Sequence, residues 1–498
     1  MIGLGSGQLT SIRQSPTTSY STLLMMSKLV AMPRCSNLGR LTFEAGERVN
    51  GSRGGGIRAD GSWRNWAGNQ SSRPVRIERP RSESKVGDLV RRATADGLRV
   101  RVVGAGHSFT SIARTDDVLV SLDGLTGIET VDEASGRVRV RAGTRLFDLN
   151  PQLDARGLAM PNLGDIAYQS VAGAISTSTH GTGLRFQSIA AGVVGLRLVV
   201  GDGSVVVLDD DNDPDLRDVA QVGLGALGIV TEVTLQCVPV FNLHAVEEIL
   251  PIDEVVTSFD GWADTIDHVE FFWMPHTGLA QVKRNMRTTA MPPAARNLRH
   301  SMRRRWKQFK NKELLENVAF GAMNHIGRLK PSVIPRLNSL VFEKGGRAEY
   351  LTTSYEVFAS ERRVRFYEME YAVPREDGLE AFNRVRALID TLDRPISFPI
   401  EFRILGGDDI PLSTAAGRDS CFIAVHVFRG TPYDQYFRGV EAIMDDYNGR
   451  PHWGKLHFQD ADVLADRYPQ WDRFQAVRDR LDPVRRFTND YLDRVLGP

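Results

Sequence analysis

From Trp63 onward, apolar positions recur in short runs that switch between helical and extended spacing. In SESKVGDLVRRATADG, Val86, Leu89, Val90 and Ala93 share one helical face, Ser82 is placed to cap the start and Gly97 to stop it. LRVRVVG follows as a strand that ends in a glycine turn. VLVSLDGLTGIETVD and RVRVRAG read as alternating strands, TRLFDLNPQLDARG as an amphipathic helix. Such pieces continue to about residue 240, the pattern of an α+β domain. From 241 to 420, strands such as HVEFFWMP and RFYEMEYAVP alternate with helices such as GLEAFNRVRALIDTL, which predicts a second domain on an antiparallel sheet. Residues 421–498 add a strand-like CFIAVHVF, a loop GRPHWGKLHF and a terminal helix WDRFQAVRDRLDP.

The first 62 residues have a different character. Up to Phe43 there is no acidic residue, Ser and Thr are frequent, and GSRGGGIRADGS reads as a flexible linker. The segment cannot build a core, and is read as a disordered or targeting extension. In the 498-residue chain, 62 Lys and Arg balance 61 Asp and Glu to a formal charge of +1. That leaves no field to steer a nucleic acid, so none is expected as a partner. One stretch departs from this balance: the basic residues of Arg296–Glu313, interleaved with Trp306 and Phe309, offer a peripheral contact to an anionic membrane, against the simpler reading of a solvated insertion. The 3 cysteines, Cys35, Cys237 and Cys421, are far apart, which excludes a disulfide framework, argues against a cysteine-based metal site and fits a cytoplasmic setting.

Two glycine patterns resemble a dinucleotide fingerprint and fail on context. GLGALG (223–228) has a helical stretch before it and a strand-like one after it, the reverse of what that motif needs. GAGHSF (104–109) has Phe109 where the third glycine belongs, and no helix opens behind it. Both still let backbone approach a ligand closely and offer N–H groups to a pyrophosphate, as does SVAGAISTSTHGTG around His180. In FPIEFRIL, period-two alternation puts Glu401 and Arg403 on one strand face. RPHWGKLHF gathers His452, Trp453, Lys455 and His457, and CFIAVHVF places His426 in an apolar strand, where a histidine is more often a satisfied core residue.

Taken together, GAGHSFTSIA, NLGDIAYQSVAGAISTSTHGTG, GLGALGIVTEVTL, EFRI and RPHWGKLH resemble the sugar-1,4-lactone oxidoreductases of the vanillyl-alcohol-oxidase flavoprotein superfamily, over about Trp63–Pro498. The resemblance implies a two-subdomain FAD-binding domain (63–240), a substrate cap on an antiparallel sheet (241–420) and a C-terminal segment (421–498) that completes the site. It implies FAD held covalently through His107. Val102, Val103, Gly104, Ala105, Gly106, His107 and Ser108, then Ser170, Gly173, Ala174, Ile175, Ser176 and Thr177, would cradle the cofactor, with Gly164, His180, Gly181, Ile229 and His452 also against it.

For the reaction, it implies oxidation of a D-arabinono- or L-gulono/L-galactono-1,4-lactone by hydride transfer to FAD N5, with electrons passed to oxygen or a cytochrome- or quinone-like acceptor. Glu401, Arg403 and Lys455 would be catalytic, and Asp165 and His426 would join them around the substrate. Arg403 and Lys455 would stabilise charge on the substrate oxygen, with a lysine of lowered pKa as one candidate to take the proton. Alditol oxidases, close relatives acting on xylitol or sorbitol, have serine at position 165, so Asp165 departs from them. The resemblance also places Gly164 beside the flavin, where a glycine would leave oxygen an open approach. The remaining alternative is a flavin-binding protein without catalysis.

Overall fold

The computed structural model describes residues 55–291, 315–342, 346–359 and 364–498. Most of the expected N-terminal extension and the basic segment 296–313 lie outside the described residues. The expected linker, however, ends earlier than Ser62. Gly56–Ile57 pairs antiparallel with Trp63–Arg64, and Gly55 N–H donates to Ala105 O at 2.8 Å.

Three short parallel strands open the fold: β1 (Arg76–Glu78), β2 (Val100–Val103) and β3 (Val118–Ser121), in the order β1-β3-β2. Helix α1 (Glu83–Ala95) links the first two. Its start is set by Ser82, whose hydroxyl accepts from Lys85 N–H, and Gly97 at φ +70° lets the chain leave it. The apolar face predicted from the spacing is the buried one: Val86, Leu89, Val90 and Ala93 pack with Val100, Val118 and Val120.

An antiparallel sheet follows, with β4 (Ile128–Asp132), β5 (Arg137–Arg141), β6 (Val193–Val199), β7 (Val205–Leu208) and β8 (Ile229–Gln236) in the order β7-β6-β8-β5-β4. Between β5 and β6 lies a six-residue helix, α2 (Val171–Ser176). The sequence suggested only a loop there; Ser170 caps it, its Oγ accepting from Gly173 N–H at 3.2 Å.

The second sheet has eight strands: β9 (Asn242–Pro251), β10 (His268–Trp273), β11 (Leu279–Thr288), β12 (Ala348–Thr353), β13 (Phe366–Pro374), β14 (Ile400–Leu405), β15 (Ser420–Phe428) and β16 (Arg450–Pro451). Their order is β12-β9-β11-β10-β14-β15-β13-β16, with every pairing antiparallel. The boundary expected at 420–421 falls inside β15, which lies between β14 and β13. One face is covered by α3 (Ile252–Thr265), α4 (Gly378–Asp390) and α5 (Asp434–Asp445). Phe259, Phe382 and Phe437 pack there against Phe271, Met369, Tyr371 and Phe402. Alternation sends the intervening residues of each strand to the other face, where the chemistry lies.

Beyond β16 the chain returns to the first half. Helix Trp471–Leu481 is not terminal as expected, because Asp490–Leu496 forms a further helix. Leu464, Tyr468, Phe474 and Leu492 share a core with Leu149, Leu196 and Val233.

Candidate active site

Two structures meet here, a backbone cavity and a charged sheet face. The cavity has walls from the β2 turn (Val102–Ser108), from Ser170, Gly173, Ser176 and Thr177, and from Gly225, Gly228 and Val230. Its shape depends on missing side chains. A Cβ on Gly104 would fall 2.2 Å from Ser170 Oγ, and Gly106 sits at φ +66°. The carbonyls of Ala105 and Gly106 accept from Gly55 and Trp66 N–H, which turns the N–H groups of Gly106 and His107 the opposite way. A glycine-walled space with oriented amides and the hydroxyls of Ser108, Ser176 and Thr177 fits a phosphate-bearing cofactor of FAD's kind.

Of the residues expected against the cofactor, Ala174, Ile175 and Ile229 turn their side chains into the apolar cores. The His107 ring lines the cavity between two aromatic rings, with centroids 5.6 Å from Trp66 and 6.3 Å from Tyr168. The linker glycine Gly55 and the buried Arg101 were missed in the sequence. A Cβ on Gly55 would lie 2.9 Å from Gly106 O. Arg101 closes the cavity floor by donating to the carbonyls of Ile112, Leu224, Gly225 and Phe487, so one guanidinium ties three distant segments.

The C-terminal loop joins cavity to sheet. Phe109 N–H donates to Gly454 O at 2.7 Å and Thr110 Oγ1 to Trp453 O at 3.2 Å, so the loop bearing Lys455 is fixed to the His107 turn.

On the open face of the eight-stranded sheet, register assembles the charges. Glu270 lies opposite both Lys283 and Arg403, Glu401 and Glu370 flank Ala424 from either side, and Glu368 lies opposite His426. Arg403 Nε donates to Glu270 Oε2 at 2.7 Å while its other arm pairs with Glu401. Lys455 Nζ pairs with Glu368 and lies 2.7 Å from Glu370 Oε2. His426 Nε2 is 3.2 Å from Glu368 Oε1, and His180 Nε2 is 3.2 Å from Glu370 Oε1. Asp165 lies close enough for its charge to act on Glu270, Glu401 and Arg403. Thus Glu401, Arg403, Lys455, His426 and Asp165 converge. Glu270, Lys283, Glu368 and Glu370 join them, unanticipated, although the alternation in FYEMEYAV already put two glutamates on one face of an apolar strand.

Burial and charge compete at Glu401, Glu368 and Lys455. Burial raises Glu401 above its ordinary range, more than Arg403 can offset. Burial also pushes Glu368 upward, but Lys455 and His426 overcome it and hold the carboxyl at about 2. His452 is drawn down to about 3 by burial, and its Nδ1 accepts from Gly454 N–H, so it is the neutral Nε2–H tautomer. Lys455 goes the other way from the expectation of a lowered pKa. Burial would lower it, yet Glu368 and Glu370 outweigh burial and raise it. That direction favours the ammonium form. The trios His180/Glu370/His452 and Glu368/Glu401/His426 gather ligand atoms within 4.8 Å, but Lys455 and Arg403 already neutralise their carboxylates.

Gly164 lies where a Cβ would meet His180 O and Thr179 Cγ2, each at 3.1 Å, and one on Gly181 would fall 2.3 Å from Asn162 Oδ1. Packing alone therefore favours glycine at 164, whatever its role toward oxygen.

A glycine-walled dinucleotide cavity joined to a buried, charged sheet face defines an FAD-dependent oxidoreductase; residues 74–209 match the FAD-binding domain family. The chain belongs to the D-arabinono-1,4-lactone oxidase family, which it matches over residues 233–495. It is 46% identical over 436 residues to an L-gulono-1,4-lactone dehydrogenase of Mycobacterium tuberculosis, covering 88% of this chain and 99% of that protein. With L-gulonolactone oxidase of Bos taurus the identity is 31%, over 87% and 98%. Cholesterol oxidase from B. sterolicum superposes with a TM-score of 0.72 at 19% identity, covering 88% of this chain and 97% of that one, a likeness of fold.

Proposed function

We propose that this protein oxidises an aldono-1,4-lactone, of the L-gulono or D-arabinono kind, at a ring or side-chain carbinol, with FAD tethered through His107. When bound, FAD accepts the hydride and passes the electrons on to oxygen or a cytochrome- or quinone-like acceptor. The protein's part is to bind the lactone on the polar sheet face and to stabilise the oxygen that loses its proton. Arg403 and Lys455 supply fixed positive charge in a site where low dielectric strengthens it. Glu401 and Asp165 offer acceptors for the substrate hydroxyls. His107, at the tip of the glycine turn and held between Trp66 and Tyr168, presents an imidazole to the cavity as a tether requires.

The observation that carries this reading is the pairing of Phe109 N–H with Gly454 O. It brings the loop of Lys455 against the turn of His107, which supports reading the two residues as parts of one site. Among the described residues no helix is long and apolar enough to cross a membrane. The described cysteines, Cys237 and Cys421, are buried free thiols, in keeping with a cytoplasmic enzyme.

Steady-state oxidation of L-gulono- and D-arabinono-1,4-lactone, in air and anaerobically with a dye acceptor, tests the reaction and sorts the acceptor. Faster turnover of xylitol than of either lactone would replace the substrate class. For the tether, acid precipitation should leave yellow colour in the wild-type pellet and release it from His107→Ala; release from both would remove the covalent bond from the reading.

A further inference from the structure

Glu368 and Glu370 stand two residues apart on β13, so both leave the same face, while Met369 and Tyr371 fill the apolar core behind. Both carboxylates are almost fully buried, at 4% and 3% exposure. Nothing in the oxidation itself requires two further buried acids beside Glu401, and burying them carries a large cost unless they are paired. Their partner is Lys455, whose ammonium lies between them. The backbone reinforces the grip: His452 N–H donates to Glu370 O at 3.0 Å and Leu456 N–H to Glu368 O at 2.8 Å, so β13 fixes the loop on both sides of Lys455. Each acid also has a histidine at its outer side, His426 on Glu368 and His180 on Glu370. The ring nitrogens turned away from the acids face the carbonyls of Pro399 and Gly181.

We propose that Glu368 and Glu370 are positioning residues for the oxidation: they clamp the Lys455 ammonium in one place and keep it charged, as a donor to the substrate oxygen that does not take the hydroxyl proton. The proposal rests on the lactone-oxidising reading above. The groups acting on Lys455 are Glu368 and Glu370 from β13, Glu401 from β14 and His452 from its own loop, and behind the acids stand His426 from β15 on Glu368, His180 from the loop after α2 on Glu370 and Arg403 from β14 on Glu401. The three acids favour the charged amine, whereas burial opposes it. Removing one acid of the clamp therefore weakens the hold on both the position and the charge of Lys455.

The test is the pH dependence of kcat and kcat/KM for FAD-loaded wild type, Glu368→Gln, Glu370→Gln and Lys455→Arg, with flavin content and Tm measured for each. Wild type should show no alkaline limb from Lys455. Each Gln variant should lose roughly ten- to a hundredfold in kcat and gain an alkaline limb, with KM changed far less. Lys455→Arg, which keeps the fixed charge and removes any group able to act as a base near neutrality, should retain measurable turnover with no such limb. This variant carries the test if the Gln variants fail to fold. Flavin-loaded Gln variants with the wild-type profile and kcat within threefold would overturn the clamp while leaving the lactone reading intact, as would a Lys455→Arg enzyme as inactive as Lys455→Met. A wild type that turns over no lactone would overturn both.

Discussion

The cavity wall and the polar sheet face solve different problems with different material. The wall is built from backbone, so its specificity comes from what is absent: Gly104 has no Cβ because Ser170 Oγ occupies the place, and Gly106 takes a positive φ. The sheet face is built from long charged side chains whose positions are set by strand register, with each charge answered by its neighbour. A backbone site tolerates almost no added atom. A charged site tolerates changes of shape better than changes of charge, because removing one partner leaves the other buried and unpaired. The two regions should therefore fail separately, one by losing cofactor and the other by losing chemistry.

Lys455→Met gives the largest expected effect. It removes the donor and leaves Glu368 and Glu370 facing each other without their cation. Lactone turnover should fall by about 10³-fold or more, comparable to loss of a strong transition-state donor. Stability should drop by about 3–5 kcal/mol. Flavin content should stay near that of wild type, since Lys455 does not line the cavity. Parallel loss of flavin would show that the two regions are one unit.

Gly104→Ala is the converse. The new methyl would overlap Ser170 Oγ, and relief requires the N-cap of α2 to move. The expected cost is about 1–3 kcal/mol, with a marked loss of bound FAD. In the Gly104→Ala/Ser170→Ala pair, flavin retention should partly recover. No recovery would mean that the cap's hydrogen bond matters more than the overlap.

Arg101→Met probes the cavity floor. This guanidinium has no carboxylate partner at hydrogen-bonding distance among the described residues, and burial brings its pKa down to about 9. Its hydrogen bonds to Ile112, Leu224, Gly225 and Phe487 all go to carbonyls, and removing it strips them of their donor. A loss of about 2–4 kcal/mol is expected by thermal melting. The loss should be larger without FAD than with it, because bound cofactor stabilises the folded state.

The same contrast explains what could be read from the sequence. Glycine turns are contiguous, so GAGHSF and SVAGAIS announce the cavity wall within a few residues each. The polar face is assembled from β10, β11, β13, β14 and β15 and from the loop of Lys455, which are separated by up to 185 positions in the chain. Glu401 and Arg403 were legible because they share one strand, and Lys455 because its loop is rich in histidine. Glu270 and Lys283 look like ordinary strand charges until register puts them opposite Arg403 and each other. Gly55 was hidden differently: its glycine-rich surroundings look like linker, and only the close approach to Gly106 shows that the chain has already entered the fold.

The smallest expected effect comes from a pair outside both regions, and it calibrates the rest. Glu83, in the first turn of α1, receives Arg197 through two bonds of 2.9 and 2.7 Å and Thr231 Oγ1 at 2.8 Å. The hydrogen bond from Arg197 holds its carboxyl below the usual range, with burial opposing. A depressed folded-state pKa adds stability that is present above the unfolded value, near 4.5, and fades as pH falls through the folded one. Because the pair is partly exposed, screening keeps the contribution small, about 1 kcal/mol. Glu83→Gln should therefore lower Tm slightly at pH 7, and the gap from wild type should close below about pH 4. Turnover and flavin content should not change. A larger loss, or one that persists at low pH, would mean that Glu83 acts through packing under α1, and that this sheet is coupled more tightly to the cavity than its surface position suggests.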